Sequence, residues 1–255
     1  MRRIRLIIEY DGTNYVGWQT QPNGIAVQQV IEQELHSVTG EEIALHASGR
    51  TDSGVHALAQ VVHFDTSVRM PADKFAFALN SGLPRDIRIR YSGEAEEDFH
   101  ARFSAKRKQY RYTLQAGEHA RAFLRNTALH VHGRLEEDVL RQMAKDAIGA
   151  HDFRAFMAAN TSMENTVREI YRSEWTREGE LFYYDVEGNG FLYNMVRILV
   201  GTMLAAAKGT LSPDAMQKAL FSGRRNDAGP TAPAHGLTLM RVVYADFDTA
   251  EIVQP

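Results

Sequence analysis

Residues 42–64, EIALHASGRTDSGVHALAQVVHF, consist of two apolar runs separated by a polar loop. The runs Glu42–Ala47 and Gln60–Phe64 have the apolar composition of strands. The loop Ser48–Ala57 between them holds an aspartate, an arginine and two glycines. Glycine lets the backbone approach a ligand closely, and loops held by a rigid scaffold carry function. This stretch therefore predicts two strands that present a functional loop.

The first half of the chain extends this pattern into the order strand, helix, strand, strand, helix, strand. Strands are predicted where apolar residues alternate, and helices where they recur every three or four positions. A proline in the first turn favours the second helix. The predicted elements are Arg3–Tyr10, Val27–Val38, Glu42–Ala47, Gln60–Phe64, Pro71–Leu79 and Ile87–Tyr91.

The second half repeats this order approximately, without detectable sequence identity. Its predicted elements are strands at Lys108–Gln115, Val167–Thr176, Glu180–Glu187 and Leu237–Phe247, and helices at Leu135–Ile148, Phe191–Ala207 and Pro213–Phe221. We therefore predict an α+β fold of two ferredoxin-like modules, with antiparallel sheets flanking a central cleft that suits a large ligand. The predicted modules are 1–100, carrying the aspartate loop, and 106–248.

Composition excludes several classes of protein. The 255 residues include no cysteine, which rules out disulfides, thiolate metal sites and a cysteine nucleophile. Hydrophobic residues make up 44% of the chain, enough for a substantial core. The most apolar run, Phe191–Ala207, is too short for a comfortable membrane span, and no signal segment precedes the first strand. We expect a soluble cytoplasmic protein that does not associate with membranes.

A basic and aromatic segment points to nucleic acid despite the net charge of −3. Cations cluster between Arg102 and Arg111, while acids concentrate elsewhere in the chain. On a strand, Tyr110 and Tyr112 share one face with Lys108. Such a face can stack on an unpaired base while cations hold phosphates, although alternating tyrosines are also ordinary sheet-packing residues.

Asp52 is the first candidate for chemistry. A carboxylate framed by Gly49 and Gly54 can serve as a nucleophile, as a general base, or only as a turn or helix cap. The residues themselves leave these alternatives open.

Arg197 is the second candidate, because it is the only charged residue between Asn189 and Ala207. Apolar residues cover most faces of this predicted helix, so the helix must be largely buried, and a buried arginine needs a carboxylate partner. Arg197 can form a structural ion pair, lie at an exposed edge, or keep a functional carboxylate ionised. Asp52 is a candidate partner.

Other features predict less. His46, His56 and His63 lack metal-ligand spacing, so we predict no metal site. Gly188–Gly190 lacks the lysine of a phosphate-binding loop and is interpreted as a turn. The sequence alone defines no role for Tyr15–Gln19.

Four segments together resemble the TruA family of tRNA pseudouridine synthases. They are EYDGTNYVGWQ at 9–19, GRTDSGVHA at 49–57, KQYRY at 108–112 and GNGFLYNMVR at 188–197. They occur in the order of the family's motifs and span nearly the whole chain. Gln109 departs from the pattern, since the family often has a basic or aromatic residue there.

The resemblance implies a cofactor-independent isomerase that converts uridine to pseudouridine at positions 38, 39 and 40 of the tRNA anticodon stem-loop. It implies that Asp52 is the catalytic aspartate, Arg197 its partner, and Tyr110 the residue that stacks on a flipped-out uracil. Arg50 would contact RNA or help to hold the flipped nucleotide. A homodimer in which one tRNA touches both subunits is also implied. The alternatives are a non-catalytic RNA-binding protein and a related enzyme that acts on another RNA.

Overall fold

The computed structural model describes residues 1–158 and 163–253. Its residue contacts divide the chain into two compact units, Met1–Lys106 with Thr238–Pro255, and Arg107–Leu237. Both units combine helices with sheets whose strands are mostly antiparallel, so the predicted α+β class is confirmed. No helix within the described ranges has the length and apolar composition that crossing a membrane requires.

Ten strands and six α-helices are found in the described part of the chain. The strands are β1 (Arg2–Tyr10), β2 (His46–Ala47), β3 (His56–Thr66), β4 (Ile87–Ala95), β5 (Arg107–Ala116), β6 (Leu129–Val131), β7 (Gly149–Asp152), β8 (Val167–Glu178), β9 (Leu181–Gly188) and β10 (Leu237–Val243). The helices are α1 (Val27–Thr39), α2 (Phe75–Gly82), α3 (Glu137–Asp146), α4 (Met195–Ala207), α5 (Ala215–Ser222) and α6 (Thr249–Ile252).

The first unit has its strands in the order β4, β1, β3, with β2 on the other side of β3, and these pairs are antiparallel. β10 adds a short parallel pairing to β3, with Thr238 opposite His56. Helix α1 buries Val27, Ile31 and Leu35, which recur every fourth residue and so lie on one face. The strand and helix order of the first half is as the sequence predicts.

The second unit has the antiparallel strand order β5, β9, β8, β7, with β6 parallel to β5. Tyr112 on β5 lies opposite Tyr184 on β9, and both rings are fully buried. Trp175 on β8 packs against Tyr184 and donates its ring N–H to the sulfur of Met203 on α4 at 3.2 Å. Helix α4 is therefore a core helix, as its apolar sequence indicates.

Several predicted element bounds differ from the structure. The apolar run 42–47 pairs as a strand only at His46–Ala47, because the Leu45 amide donates to the side chain of Glu32 instead of to a strand. The helix predicted from Phe191 begins only at Met195, since Asn194 before it has a left-handed backbone with φ 62°. Strand β10 ends at Val243, where the chain turns and the Tyr244 amide donates to the Phe247 carbonyl.

The predicted division into modules 1–100 and 106–248 remains a prediction. The structure groups the last strand with the first unit, since β10 pairs with β3 there. The cleft between modules is likewise a prediction.

Burial of a histidine predicts a stability that depends on pH. His63 on β3 is 3% exposed, and its Nδ1 accepts a hydrogen bond from the Ala101 amide at 3.1 Å. Burial, followed by the nearby His100 and His46, lowers its pKa to about 4. The unfolded chain binds this proton near pH 6.5, so it holds more protons than the folded chain between these pH values. Stability should therefore fall as the pH is lowered from about 6.5 towards 4, and the effect should be absent above that range.

We expect the melting temperature of the native chain to drop between pH 7.5 and pH 5, and expect a smaller drop for His63→Gln, measured by circular dichroism. His132→Gln is the matched control, because His132 is exposed. Equal drops in both variants would contradict the role of His63.

Candidate active site

Asp52 lies in the loop between β2 and β3, in the first unit. Its side chain is half-buried, and its carbonyl accepts a hydrogen bond from the Val55 amide at 3.1 Å, which closes a turn. Gly54 inside this turn has φ 77°, a conformation that favours glycine. Thr51, next to Asp52, is buried. The carboxylate thus stands on a tight turn at the start of a core strand.

Residues 15–18 hold this loop from one side through the backbone. Gly17 and Asp52 form an isolated β-bridge, and the Trp18 amide donates to the Thr51 carbonyl at 3.0 Å. The carbonyl of Tyr15 accepts hydrogen bonds from the Gly54 amide and the Ser53 hydroxyl at 3.3 and 3.2 Å. This segment, to which the sequence assigned no role, therefore supports the Asp52 loop.

Two glycines permit this close approach. Gly17 has φ 109°, and a Cβ there would lie 2.7 Å from the Thr51 carbonyl oxygen and 3.1 Å from the carbonyl carbon of Asp52. A Cβ on Gly12 would collide with the Val55 carbonyl. Sequence reasoning missed both residues, although two glycines within six residues were a signal of close backbone packing.

Tyr10 contacts the Asp52 loop through its hydroxyl group. Its hydroxyl lies 2.8 Å from the hydroxyl of Thr51, and its ring is buried. Burial raises the pKa of Tyr10, and the hydrogen bond with Thr51 only partly opposes this. The phenol therefore stays neutral and can keep its hydrogen bond with Thr51 across the physiological pH range.

Arg197 lies on α4 in the second unit. It is half-buried, so it is neither fully enclosed by the core nor at an exposed edge of the helix. Its Nε donates to the Ala232 carbonyl at 2.8 Å, and a terminal nitrogen donates to Oδ1 of Asn194 at 3.0 Å. The segment 230–232, which includes Ala232, packs directly on α4, because a Cβ on Gly201 would collide with the Pro230 carbonyl. The guanidinium is thus oriented by a carbonyl and an amide side chain.

Tyr110 and Tyr112 share a face of β5, as predicted, but their side chains make different contacts. The Tyr110 ring is 8% exposed and meets Phe191 edge to face at 5.2 Å and 87°. Tyr112 is fully buried and donates its hydroxyl to the Pro233 carbonyl at 2.7 Å. Burial raises the pKa of Tyr112, and the positive charge of Arg197 acts in the opposite direction. Tyr112 is therefore a packing residue that joins β5 to the segment near Arg197.

The opposite face of β5 carries ion pairs. Arg111 makes two hydrogen bonds to the Asp185 carboxylate at 2.9 and 2.8 Å, and this contact raises the pKa of Arg111. Arg107 pairs with Glu187 at 3.2 Å, and Gln109 also contacts Asp185. Acids on β9 therefore compensate the arginine charges that the sequence suggested for phosphates.

Arg50 and Asp52 belong to one loop of the first unit, and Tyr110 and Arg197 belong to the second unit. Arg50 is exposed, and its side chain forms no hydrogen bond or ion pair with the part of the chain that is described. The pairing of Asp52 with Arg197 remains a prediction.

Gly188–Gly190 forms a turn against β8, where the amide of Asn189 donates to the Glu169 carbonyl. Because α4 begins five residues after Gly190, these glycines do not lie at a helix N-terminus. His46 and His63 stack at 4.9 Å, and no group of three or more acidic or histidine side chains with metal-binding geometry occurs in residues 1–158 and 163–253.

Comparison with known proteins identifies similar chains over nearly the full length. A family model described as tRNA pseudouridine synthase matches residues 6–104 and 143–245. The tRNA pseudouridine synthase A of Ruminiclostridium cellulolyticum is 46% identical over 245 residues, which are 96% of this chain and 100% of that protein. The proteins of the same name from Bacillus pumilus and Geotalea uraniireducens are also 46% identical, over 95% and 96% of this chain and 99% and 100% of theirs.

Among solved structures, an archaeal box H/ACA sRNP Nop10–Cbf5 complex shares 14% identity with a TM-score of 0.38, over 79% of this chain and 42% of that one. This likeness is too slight to bear on fold or function.

The contact between Gly17 and the Asp52 loop predicts an unequal effect of two similar substitutions. Gly17→Ala should lower both stability and turnover, because the new methyl group must push the Thr51 carbonyl away. Gly40→Ala is the matched control: Gly40 also has a positive φ, 72°, but nothing lies within 4 Å of its Cβ position. Both variants should lose about 1–3 kcal/mol from backbone strain, measured by urea unfolding. Only Gly17→Ala should lose turnover per folded molecule, and equal turnover in the two variants would contradict this contact.

Proposed function

Since the chain belongs to the tRNA pseudouridine synthase family, it is an isomerase that converts uridine to pseudouridine in tRNA, and we propose that it acts at positions 38, 39 and 40 of the anticodon stem-loop. One observation supports the proposed site most. Two of the segments that resemble the family, 9–19 and 49–57, pack against each other around Asp52. The segment that holds the loop and the loop that carries the carboxylate therefore form one structural unit.

Asp52 is the proposed catalytic residue. The reaction breaks the bond between N1 of uracil and C1′ of ribose, rotates the base, and joins C5 to C1′. A carboxylate can attack covalently, or it can abstract the C2′ proton to give a glycal, and both routes need it ionised. We propose that Arg197 assists by favouring the ionised form of Asp52.

Tyr110 and Arg50 are the proposed substrate-binding residues. The target base must leave the helix stack, which costs about a few kcal/mol that new contacts have to offset. In this proposal Tyr110 stacks on the uracil and retains it after the glycosidic bond breaks. Arg50 is exposed on the same loop as Asp52, a position that suits contact with the RNA backbone. No cofactor or metal takes part in the proposed mechanism.

The remaining parts of the proposal concern the state of the protein in the cell. We place the enzyme in the cytoplasm, where its tRNA substrate would be modified. We also propose that it acts as a homodimer, with one tRNA in contact with both subunits.

Incubation with unmodified tRNA tests the site of modification. We expect pseudouridine at positions 38, 39 and 40, detected by carbodiimide treatment and reverse transcription. A transcript with cytidine at these three positions is the control, and it should remain unmodified. Modification elsewhere would redirect the substrate assignment, and binding without modification would contradict catalysis by this chain.

Asp52→Asn tests the catalytic carboxylate. The amide keeps the size of the side chain but provides neither a nucleophile nor a base, so turnover should fall to background while tRNA affinity stays within about threefold. Asp73→Asn is the matched control, because Asp73 is an exposed aspartate of the same unit. Normal turnover by purified Asp52→Asn would remove Asp52 from the mechanism.

A further inference from the structure

We propose that Gln60 is a positioning residue for pseudouridine formation, which fixes the backbone of the Asp52 loop from inside the core of the first unit. The inference rests on the proposed catalytic role of Asp52 and adds a residue that acts through it. Gln60 lies on β3, eight residues after Asp52, and its side chain is completely buried.

The carboxamide of Gln60 binds the start of the loop at two points. Its Oε1 accepts a hydrogen bond from the Ser48 hydroxyl at 2.6 Å, and its Nε2 donates to the Gly49 carbonyl at 2.7 Å. Ser48 is itself fully buried, and its amide donates to the Val61 carbonyl at 2.7 Å. The two residues that precede Arg50 are therefore held against β3 by the side chain and by the backbone.

The same carboxamide also reaches the residue that anchors the centre of the loop. The Tyr10 hydroxyl pairs with Thr51, and a side-chain hydrogen-bond interaction with Gln60 opposes the burial that raises the pKa of Tyr10. Gln60 thus connects Ser48 and Gly49, before Arg50, with the Tyr10–Thr51 pair, beside Asp52.

The chemistry of a carboxamide fits this position better than that of other side chains of its size. It offers an acceptor and two donors, whereas glutamate has no donor for the Gly49 carbonyl and methionine has neither group. A buried polar side chain is costly unless its hydrogen bonds are made. Val62, two residues further along β3 and therefore on the same face, is apolar and fully buried, so packing alone would favour an aliphatic residue at position 60.

A comparison of kcat with KM separates positioning from simple stabilisation. Gln60→Met should lower kcat for pseudouridine formation by about 10- to 100-fold per folded molecule, because small displacements of catalytic groups cost this much. KM for tRNA should change much less than kcat, since of the two proposed substrate-binding residues only Arg50 lies on this loop. Gln60→Glu should also lose turnover, because it cannot donate to the Gly49 carbonyl.

Gln115 provides the matched control. It is 1% exposed on β5 of the second unit, where its carboxamide donates to the His119 carbonyl and accepts from the Arg121 amide, both at 2.9 Å. Gln115→Met loses the same groups from a similar environment without touching the Asp52 loop. It should lower the melting temperature and leave kcat per folded molecule unchanged.

A milder pair of variants keeps the test decisive if Gln60→Met does not fold. Ser48→Ala removes the donor to Gln60 and should lower kcat, whereas Ser92→Ala, which removes another buried serine of the same unit, should not. If both Gln60 variants fold, Ser48→Ala combined with Gln60→Met should cost less than the product of the separate losses, because both break one contact.

The inference would be overturned if the Gln60 variants and Ser48→Ala had the same kcat per folded molecule as the controls Gln115→Met and Ser92→Ala. Failure of the proposed function looks different. It would show as turnover by Asp52→Asn, or as modification outside positions 38, 39 and 40 by the native chain. The kcat ratios of the Gln60 and Gln115 variants are measured on whichever uridine the native chain modifies, so the two failures are distinguishable.

Discussion

The close backbone contact between residues 15–18 and the Asp52 loop is the constraint on which the proposed site depends. A loop with two glycines has a large conformational entropy to lose, of about 1–2 kcal/mol per residue, and an isolated turn would not stay in one conformation. Backbone hydrogen bonds to the Asp52 loop from Tyr15 and Trp18 offset that cost. They require a glycine at position 17, because the two segments approach too closely for a side chain.

The four segments that resemble the family form two packed pairs, one within each unit. Segments 9–19 and 49–57 meet at the bridge between Gly17 and Asp52. Segments 108–112 and 188–197 meet where Lys108 lies opposite Gly188 and the Phe191 ring touches Tyr110. Motifs far apart in sequence are therefore neighbours in space. In the first pair, segment 9–19 supports the loop that carries Asp52, whereas in the second pair each segment carries a proposed site residue, Tyr110 or Arg197.

The elements that periodicity could predict are those whose own side chains determine them. Helix α1 begins at Val27 as predicted, because its apolar residues recur on one face. The bounds that failed depend on distant partners. The Leu45 amide is taken by Glu32, which no local pattern indicates, and the left-handed backbone of Asn194 delays α4 within an apolar run. The short strands β6 and β7 were missed because they have few residues and little alternation.

In the candidate site too, some residues could be identified from the sequence, whereas others depend on contacts with distant parts of the chain. Asp52 and Arg197 could be singled out from the sequence because a carboxylate among glycines and a cation in an apolar helix are each unusual. The residues that orient them are ordinary in sequence: the carbonyl of Ala232 binds Arg197, and the amide of Trp18 binds the loop. Such contacts depend on backbone groups, which every residue carries, so only the folded chain can reveal them.

Charge distribution also reconciles a net charge of −3 with an RNA substrate. Arg107 and Arg111 lie on a strand rich in cations, but acids on β9 already engage them. Phosphate binding draws on cations whose charge is not compensated within the protein, because each contact releases a counterion from the RNA. Arg50, Arg102 and Lys106 are exposed and form no ion pair in the described ranges. Affinity for RNA therefore depends on the positions of such cations, which the net charge of the whole sequence does not show.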